Sequence, residues 1–327
     1  KMKHSLSFST IGEMTIMGQF LVKRFFEILV LILIVSIITF FIMNLAPGGP
    51  SSMMRMDATA EERAAIAEQL GLNEPVIVRY KDWLLSALGG DLGTSLSSGQ
   101  PVIERIMERF PYTFQLTAIT LIISVVVGVV LGVISAMNRN KWQDNLINFG
   151  SVVGLSVPSF WMAIMFILLF SVELQWLPSS GVGDSSLVDK AKSMAMPVII
   201  LATSTLPTIV RFTRSSMLEV INQNFIRTAR SKGAREKTVV YFHALKNALI
   251  PVVSIIGVLI PRLLGGAVIV ETVFGWPGMG RLIVEASQGR DYNLVMGVTV
   301  FVTVLVIVSN FIVDIIYSKL DPRVKAY

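Results

Sequence analysis

The chain has 327 residues, of which 53% are hydrophobic and only 15% charged, against about 25% charged in an ordinary soluble domain. That balance excludes both a cytosolic globular protein and a disordered chain. Cysteine is absent and histidine occurs only at His4 and His243, so disulfide scaffolds and Cys/His zinc or iron–sulfur centres are excluded as well. The net charge is +6, and in a membrane chain the placement of that surplus matters more than its size.

A bilayer core of about 30 Å needs about 20 mostly apolar helical residues to cross it. Six stretches meet that test. The first, 28–45, is stopped by Pro47-Gly48-Gly49-Pro50. Basic residues precede it as in a secretory signal, but the apolar run is long and no small-x-small site follows, so it reads as an uncleaved span. The second is 113–137. The third, 146–172, carries Pro158 in its middle and is expected to tilt or kink there. The fourth, 196–210, is short, polar-sided and the weakest. The fifth is 249–273 and the sixth 294–317. The fold class expected is an all-α polytopic membrane protein of six spans with one ordered outer loop.

Basic residues set the expected orientation. The 211–248 loop carries Arg211, Arg214, Arg227, Arg230, Lys232, Arg235, Lys237 and Lys246, whereas the next short loop carries only Arg281 and Arg290. This places both termini inside and requires an even number of spans, which supports the fourth. The resulting layout has a cytoplasmic N-terminal segment at 1–24 and a transmembrane domain at 25–320. Within that domain lie an extracytoplasmic cap loop at 46–112 and a cytoplasmic loop at 211–248. A cytoplasmic tail at 321–327 ends the chain. The cap includes a helical-looking stretch at 59–70 and the turn Gly89-Gly90-Asp91; an ordered cap is expected because long structureless loops are uncommon in compact domains.

The chemistry available is narrow. No G-x-x-x-x-G-K-[ST] occurs, so the chain holds no P-loop for ATP. Neither histidine lies in a span, and no paired carboxylates stand at catalytic spacing. No catalytic residue and no metal ligand is therefore assigned, which leaves transport, channel or scaffold roles. The 211–248 loop is the most informative segment. Val220/Ile221, Phe225 and Ala229 recur at helical spacing, Gly233 supplies a helix stop, and a second helix from Val239 runs into the fifth span at Pro251. The result is a short amphipathic helix that lies either on anionic lipid headgroups or against a soluble partner.

These residues carry a resemblance. Ala229-x-x-x-Gly233, within Phe-Ile-Arg-Thr-Ala-Arg-Ser-Lys-Gly and followed by His243-Ala-Leu-Lys-Asn-Ala-Leu-Ile-Pro251, resembles the EAA loop of ABC-importer permeases, above all those of the oligopeptide/dipeptide/nickel branch. Leu45-Ala-Pro-Gly-Gly-Pro50, Gly90-Asp-Leu-Gly-Thr-Ser95, Val157-Pro-Ser-Phe-Trp161, the run from Gly265 to Gly280 and Asp321-Pro-Arg323 follow in family order. Together they span about residues 20–325. The long loop after the first span is similar to that of the B-type subunit. The family's acidic first position is taken here by Arg227 or Thr228, so the contact rests on the Ala-x-x-x-Gly geometry.

The resemblance implies a transport subunit of an ATP-driven importer, most simply of oligo- or dipeptides, in a prokaryotic inner membrane. It implies a second, C-type permease, two P-loop ATPases of the D/F type and an extracytoplasmic binding lipoprotein or periplasmic protein as partners, with membrane lipid around them and no nucleic acid. ATP and magnesium would be bound by the ATPases, leaving this chain without a cofactor. Phe225, Arg227, Thr228, Ala229, Gly233, His243 and Asn247 would form the coupling site. A nickel or metallophore importer of the same family, and an ion-coupled secondary transporter, are the alternatives. The latter wants acidic relays within spans, where little beyond Glu27 and Asp314 is offered. A non-transporting scaffold leaves Arg262 without a purpose.

Arg262 stands about 14 residues, or about 21 Å at 1.5 Å per residue, into the fifth span. A charge at such depth costs about 2.5–3.5 kcal/mol on insertion scales and usually faces a functional interior. A polar pathway, an ion pair with a neighbouring span and snorkelling are its possible roles. Pro261 and Gly265-Gly266 flank it, and an irregular helix is expected there. Glu271, at the outer end of that span, is either a gate residue or solvated. Arg262, Gly265, Gly266 and Glu271 form the candidate translocation pathway. Asp314 is expected to pair with basic residues of the inner face. Gly128-x-x-x-Gly132 and Gly150-x-x-x-Gly154 are candidates for close helix packing.

Overall fold

The computed structural model describes residues 26–45, 74–183 and 186–320. The expected helix at 59–70, the Pro47–Pro50 stop, the terminal segments and the side chain of Asp314 lie outside the described residues. Among the described residues the structure is helical, apart from turns and one isolated bridge between Thr94 and Pro101. Five helices are long and apolar enough to cross a membrane, or six spans if one sharply bent pair counts as a single crossing.

In chain order the helices are α1 (Phe26–Leu45), α2 (Val76–Leu88), α3 (Val102–Met137), α4 (Trp142–Ser156), α5 (Ser159–Phe166), α6 (Leu187–Val220), α7 (Asn224–Ser231), α8 (Leu245–Val273), α9 (Met279–Gln288) and α10 (Tyr292–Leu320). A π-helical stretch, Ile167–Glu173, continues α5, and Glu236–Thr238 with a second π stretch, Val239–Ala244, leads into α8. The chain divides into two compact units, one of Lys1–Ile103 with Ala286–Ile307 and the other of Glu104–Glu285 with Val308–Tyr327.

Several boundaries depart from the sequence reading for physical reasons. The helix of the second span begins at Val102, so the last residues of the expected cap loop, 102–112, are its opening turns. Glu104, Arg105, Glu108 and Arg109 make this stretch too charged to read as part of a span, yet Val102 and Ile106 are fully buried. The third span breaks where Pro158 stands: α4 and the α5 run meet at 100°. Val157 is extended, as a residue before proline prefers, and Pro158 caps the start of α5.

The weak fourth span is the buried one. In α6, 61% of the apolar window is covered by the rest of the chain, against 11–28% in the other four long helices. Hydroxyls lower its apolar signal; one of them, Thr205, shares a hydrogen bond of 2.9 Å with Ser124 of α3, as spans in lipid favour, while Thr203 and Ser204 bond carbonyls of α6 itself. The helix packs mainly on α8 and on α4. Against α3 the approach is very close, because a Cβ added at Gly128 or Gly132 would fall within 2.8 Å of Ile209 or 2.5 Å of Thr213. The second glycine pair behaves differently: Gly150 faces open space and only Gly154 approaches α6, at Thr203.

In the first unit, α2 packs on α1 through Tyr80, whose hydroxyl bonds Ser36 at 2.9 Å and whose ring meets Phe40 edge-on. Arg79 donates to Asn44 at 2.9 Å. The Gly90–Ser95 motif forms a loop fastened to the start of α10. Asp291, fully buried, accepts from the Ser95 hydroxyl at 2.6 Å and from the Ser97 hydroxyl and backbone N–H. Asn293 donates to the Thr94 carbonyl. Burial raises the Asp291 carboxyl, but these donors together outweigh it and hold the group below the ordinary aspartate range.

Candidate functional site

The 211–248 segment is less of a loop than expected. Its first residues, 211–220, complete α6, and helix resumes at Glu236. Between them lies α7, carrying Phe225, Arg227, Thr228 and Ala229. Its inner face is fixed by Ile226, which is fully buried in a cluster of Val133 and Ala136 from α3, Met217 and Val220 from α6, and Val239, Val240 and Ala244 from the π stretch; Ala229 is partly buried against the same cluster. Phe225, Arg227 and Thr228 lie on the uncovered face.

Gly233 ends this helix by geometry. Its φ is +77°, a left-handed conformation that glycine adopts without a Cβ penalty. The Gly233 N–H donates to Arg230 O at 2.9 Å and the Ala234 N–H to Ala229 O at 3.2 Å, the paired bonds of a Schellman motif. Arg230 then bridges the turn to Glu236, Nη2 to Oε1 at 2.7 Å. Hydrogen bonding to Glu236 raises the Arg230 guanidinium, although the pair is exposed and contributes little to stability. His243 lies in the π stretch, and Asn247 one turn on donates to the His243 carbonyl at 2.8 Å. Asn247 thus satisfies a backbone carbonyl close to the start of α8.

The pathway candidates separate onto two faces of α8. This helix is continuous through Pro251 and Pro261, so the expected irregularity around Arg262 is not found. Each interior proline costs about 3 kcal/mol, but a break in lipid would leave more backbone groups unpaired. Arg262 and Gly265 are exposed, three residues apart on one face with Val258 and Ile269. Among the described residues Arg262 has no ion pair. Gly266 turns toward α6, where a Cβ would meet Leu201 at 3.5 Å.

Glu271 is neither solvated nor on the Arg262 face. It is fully buried, accepting from the Thr113 hydroxyl at 2.6 Å, from Gly280 N–H at 2.7 Å and from Arg281 N–H at 3.2 Å. A carboxylate there satisfies the free N–H groups at the start of α9 and complements its dipole. Thr113 in turn accepts from Met279 N–H at 2.7 Å. Trp276, buried within the same turn, donates to the Tyr112 carbonyl. The motif from Gly265 to Gly280 is therefore a helix end, a carboxylate-pinned turn and the next helix start. Sequence reasoning missed Thr113, 158 residues from Glu271, and Asp144, discussed below. A single hydroxyl or acid with a distant partner leaves no periodic signal.

Comparison with known proteins places this architecture in a class. Residues 128–326 match the family described as binding-protein-dependent transport system inner membrane component, and residues 17–117 match the corresponding amino-terminal component. The chain belongs to this family of multi-pass ABC-importer permeases. It is 39% identical over 315 residues to the oligopeptide transport system permease protein AppB of Bacillus subtilis (strain 168), covering 94% of this chain and 100% of that one. It is 38% identical over 333 residues to the dipeptide transport system permease protein DppB of Alkalihalophilus pseudofirmus, with 94% and 100% covered. The fold is similar to a chain of the inward-facing MetNI methionine ABC transporter, with a TM-score of 0.54 at 18% identity over 66% of this chain and 96% of that one. An amino acid ABC transporter structure gives 0.51 at 15% identity, over 66% and 94%.

Proposed function

We propose that this chain is one of the two permease subunits of an ATP-driven peptide importer. It sits in the inner membrane of a prokaryote with both termini cytoplasmic, beside a C-type permease. Two P-loop ATPases, which bind the ATP and magnesium, dock beneath, and a binding protein delivers peptide from the other side. The observation that carries this reading is α7. It is a helix too short to stand alone in water, its buried Ile226 is seated on α3 and α6, and its outer face of Phe225, Arg227 and Thr228 is left uncovered. The chain's similarity to oligopeptide and dipeptide permeases supports the peptide substrate.

The seating explains how nucleotide-driven movement would reach the spans. A push on the exposed face of α7 passes through Ile226 into α3 and α6, because close-packed interiors transmit displacement instead of absorbing it. Gly233 stops the helix sharply, so the ATPase groove meets a fixed end. His243 and Asn247 maintain the start of α8. Along α8 the uncovered stripe of Arg262 and Gly265 faces the translocation pathway. Arg262 offers a fork of donors to a peptide carboxylate, and Gly265 allows close backbone approach. Gly266 seats α8 on α6, and Glu271 maintains the outer end of the pathway helix without touching substrate.

The test has two parts. Extraction in mild detergent, followed by mass measurement of what copurifies, should recover a second permease and P-loop ATPases in matching amounts. A homo-oligomer that moves solute down an ion gradient without ATPase would refute the proposal. For the pathway, Arg262→Gln should abolish most peptide uptake at unchanged expression; unchanged uptake would remove Arg262 from the site.

A further inference from the structure

The structure contains an ion pair built on a buried carboxylate that the coupling site does not use directly. Asp144, in the first turn of α4, has a side chain only 3% exposed, and Arg214 of α6 holds it in a two-point grip, with Nε to Oδ1 at 2.8 Å and Nη2 to Oδ2 at 2.7 Å. Three further donors complete the shell. They are the Ser135 hydroxyl of α3, the Asn148 amide at 2.8 Å and the Asn140 backbone N–H at 2.9 Å. Asn140 has a φ of +64°, a left-handed conformation that asparagine tolerates better than most residues, so the α3–α4 turn is itself shaped around this carboxylate. Three helices and one turn therefore converge on one side chain.

Its position relative to α7 gives it meaning. Ser135 stands between Val133 and Ala136, the two α3 residues that seat Ile226; Arg214 stands one turn before Met217, which seats it from α6. The same turns of α3 and α6 that receive α7 also hold Asp144. In contrast, α4 contributes no residue to the Ile226 cluster. It runs beside α6 and ends at the Val157–Pro158 break.

We infer that the Asp144–Arg214 pair is a clamp that makes α4 follow the coupling helix, so that Asp144 is a positioning residue for converting ATPase closure into transport. The inference rests on the importer reading. With the clamp intact, α3, α4, α6 and α7 move together as a block at this end. Without it, α7 still docks on α3 and α6, and the ATPases still close and hydrolyse ATP, but α4 and the broken span beyond it no longer move in step. A charge-assisted two-point contact of this kind suits the task, because it fixes direction as well as distance.

The test uses the complete complex in proteoliposomes, with peptide uptake and ATP hydrolysis measured on the same vesicles. Asp144→Asn and Arg214→Lys should keep most of the hydrolysis while uptake per ATP falls by about tenfold, within the roughly 5- to 150-fold range of allosteric couplings. Asp144→Glu, which keeps a carboxylate to accept from Arg214, should retain a large part of that ratio. A purely structural role would lower hydrolysis, uptake and assembled complex in proportion and leave the ratio unchanged, which would overturn the inference. If D144N does not assemble, R214K, which keeps the charge but loses the two-point geometry, decides between the same outcomes. Failure of the wild-type complex to show any ATP-driven uptake would instead refute the importer reading.

Discussion

Two chemically identical substitutions, Gly132→Ala and Gly150→Ala, should move stability in opposite directions. Both glycines lie in helices, so both changes gain the same propensity benefit of roughly 0.5–1 kcal/mol. They differ in what the new methyl meets. At position 132 the Cβ would sit 2.5 Å from Thr213 Cβ, 2.9 Å from its Cγ2 and 2.9 Å from the Val210 carbonyl oxygen. Carbon atoms in contact prefer about 3.5–4.0 Å, so the overlap is about 1 Å, and it falls on atoms fixed to the α6 backbone that no rotamer change moves aside. The helices must part, and Gly128, packed one turn earlier against Ile209, is carried with them. Overpacking of this kind costs about 1–3 kcal/mol, whereas at position 150 no heavy atom lies within 4 Å. Because the propensity benefit cancels, the difference between the two variants equals the overpacking cost. Denaturant titration of the purified full chain in mild detergent, followed by tryptophan fluorescence, should rank G150A at or above wild type and G132A below it. Equal midpoints for the two variants would refute the α3–α6 contact as described.

Three further outcomes are expected. Gly233→Ala meets no clash but forces a left-handed φ on a Cβ residue, costing about 1–2 kcal/mol at the end of α7; uptake should fall, and Gly233→Asn should recover part of it. Glu271→Ala leaves the N–H groups of Gly280 and Arg281 and the Thr113 hydroxyl without their acceptor, costing about 1–3 kcal/mol, readable as a lowered thermal midpoint of the purified chain. Asp291 is held below its ordinary value, so its stabilising contribution is complete above about pH 3.9, the unfolded value, and is lost as pH falls through the lower folded value; Asp291→Asn should flatten that acid limb in pH-jump unfolding.

How much was legible beforehand depended on whether the signal was local. The break at Pro158, the stop at Gly233 and the short amphipathic α7 follow from residues within a few positions of one another, through a missing N–H, a positive φ and a 3.6-residue repeat. The fourth span was hard to read because hydropathy rewards exposure to lipid, and α6 is covered by protein; one of its threonines, Thr205, bonds across to Ser124 of α3. The opening of α3 was obscured by charges lying between its buried Val102 and Ile106. Glu271 was read as a gate or a solvated end, since nothing beside it in the chain shows that Thr113 and the start of α9 fold over it.

The sequence alone thus determined the class: a polytopic helical chain with a basic segment before its fifth span and one arginine deep in that span. Apolar length, charge asymmetry and turn residues act over distances that one helix contains. Tertiary structure decided which groups became sites. It put Arg262 and Gly265 on an uncovered stripe and Glu271 on the opposite, buried side, and it joined Asp144 to Arg214 across 70 residues. A buried charge acquires its role from the donors that replace water around it, and those donors are brought together only when the helices pack.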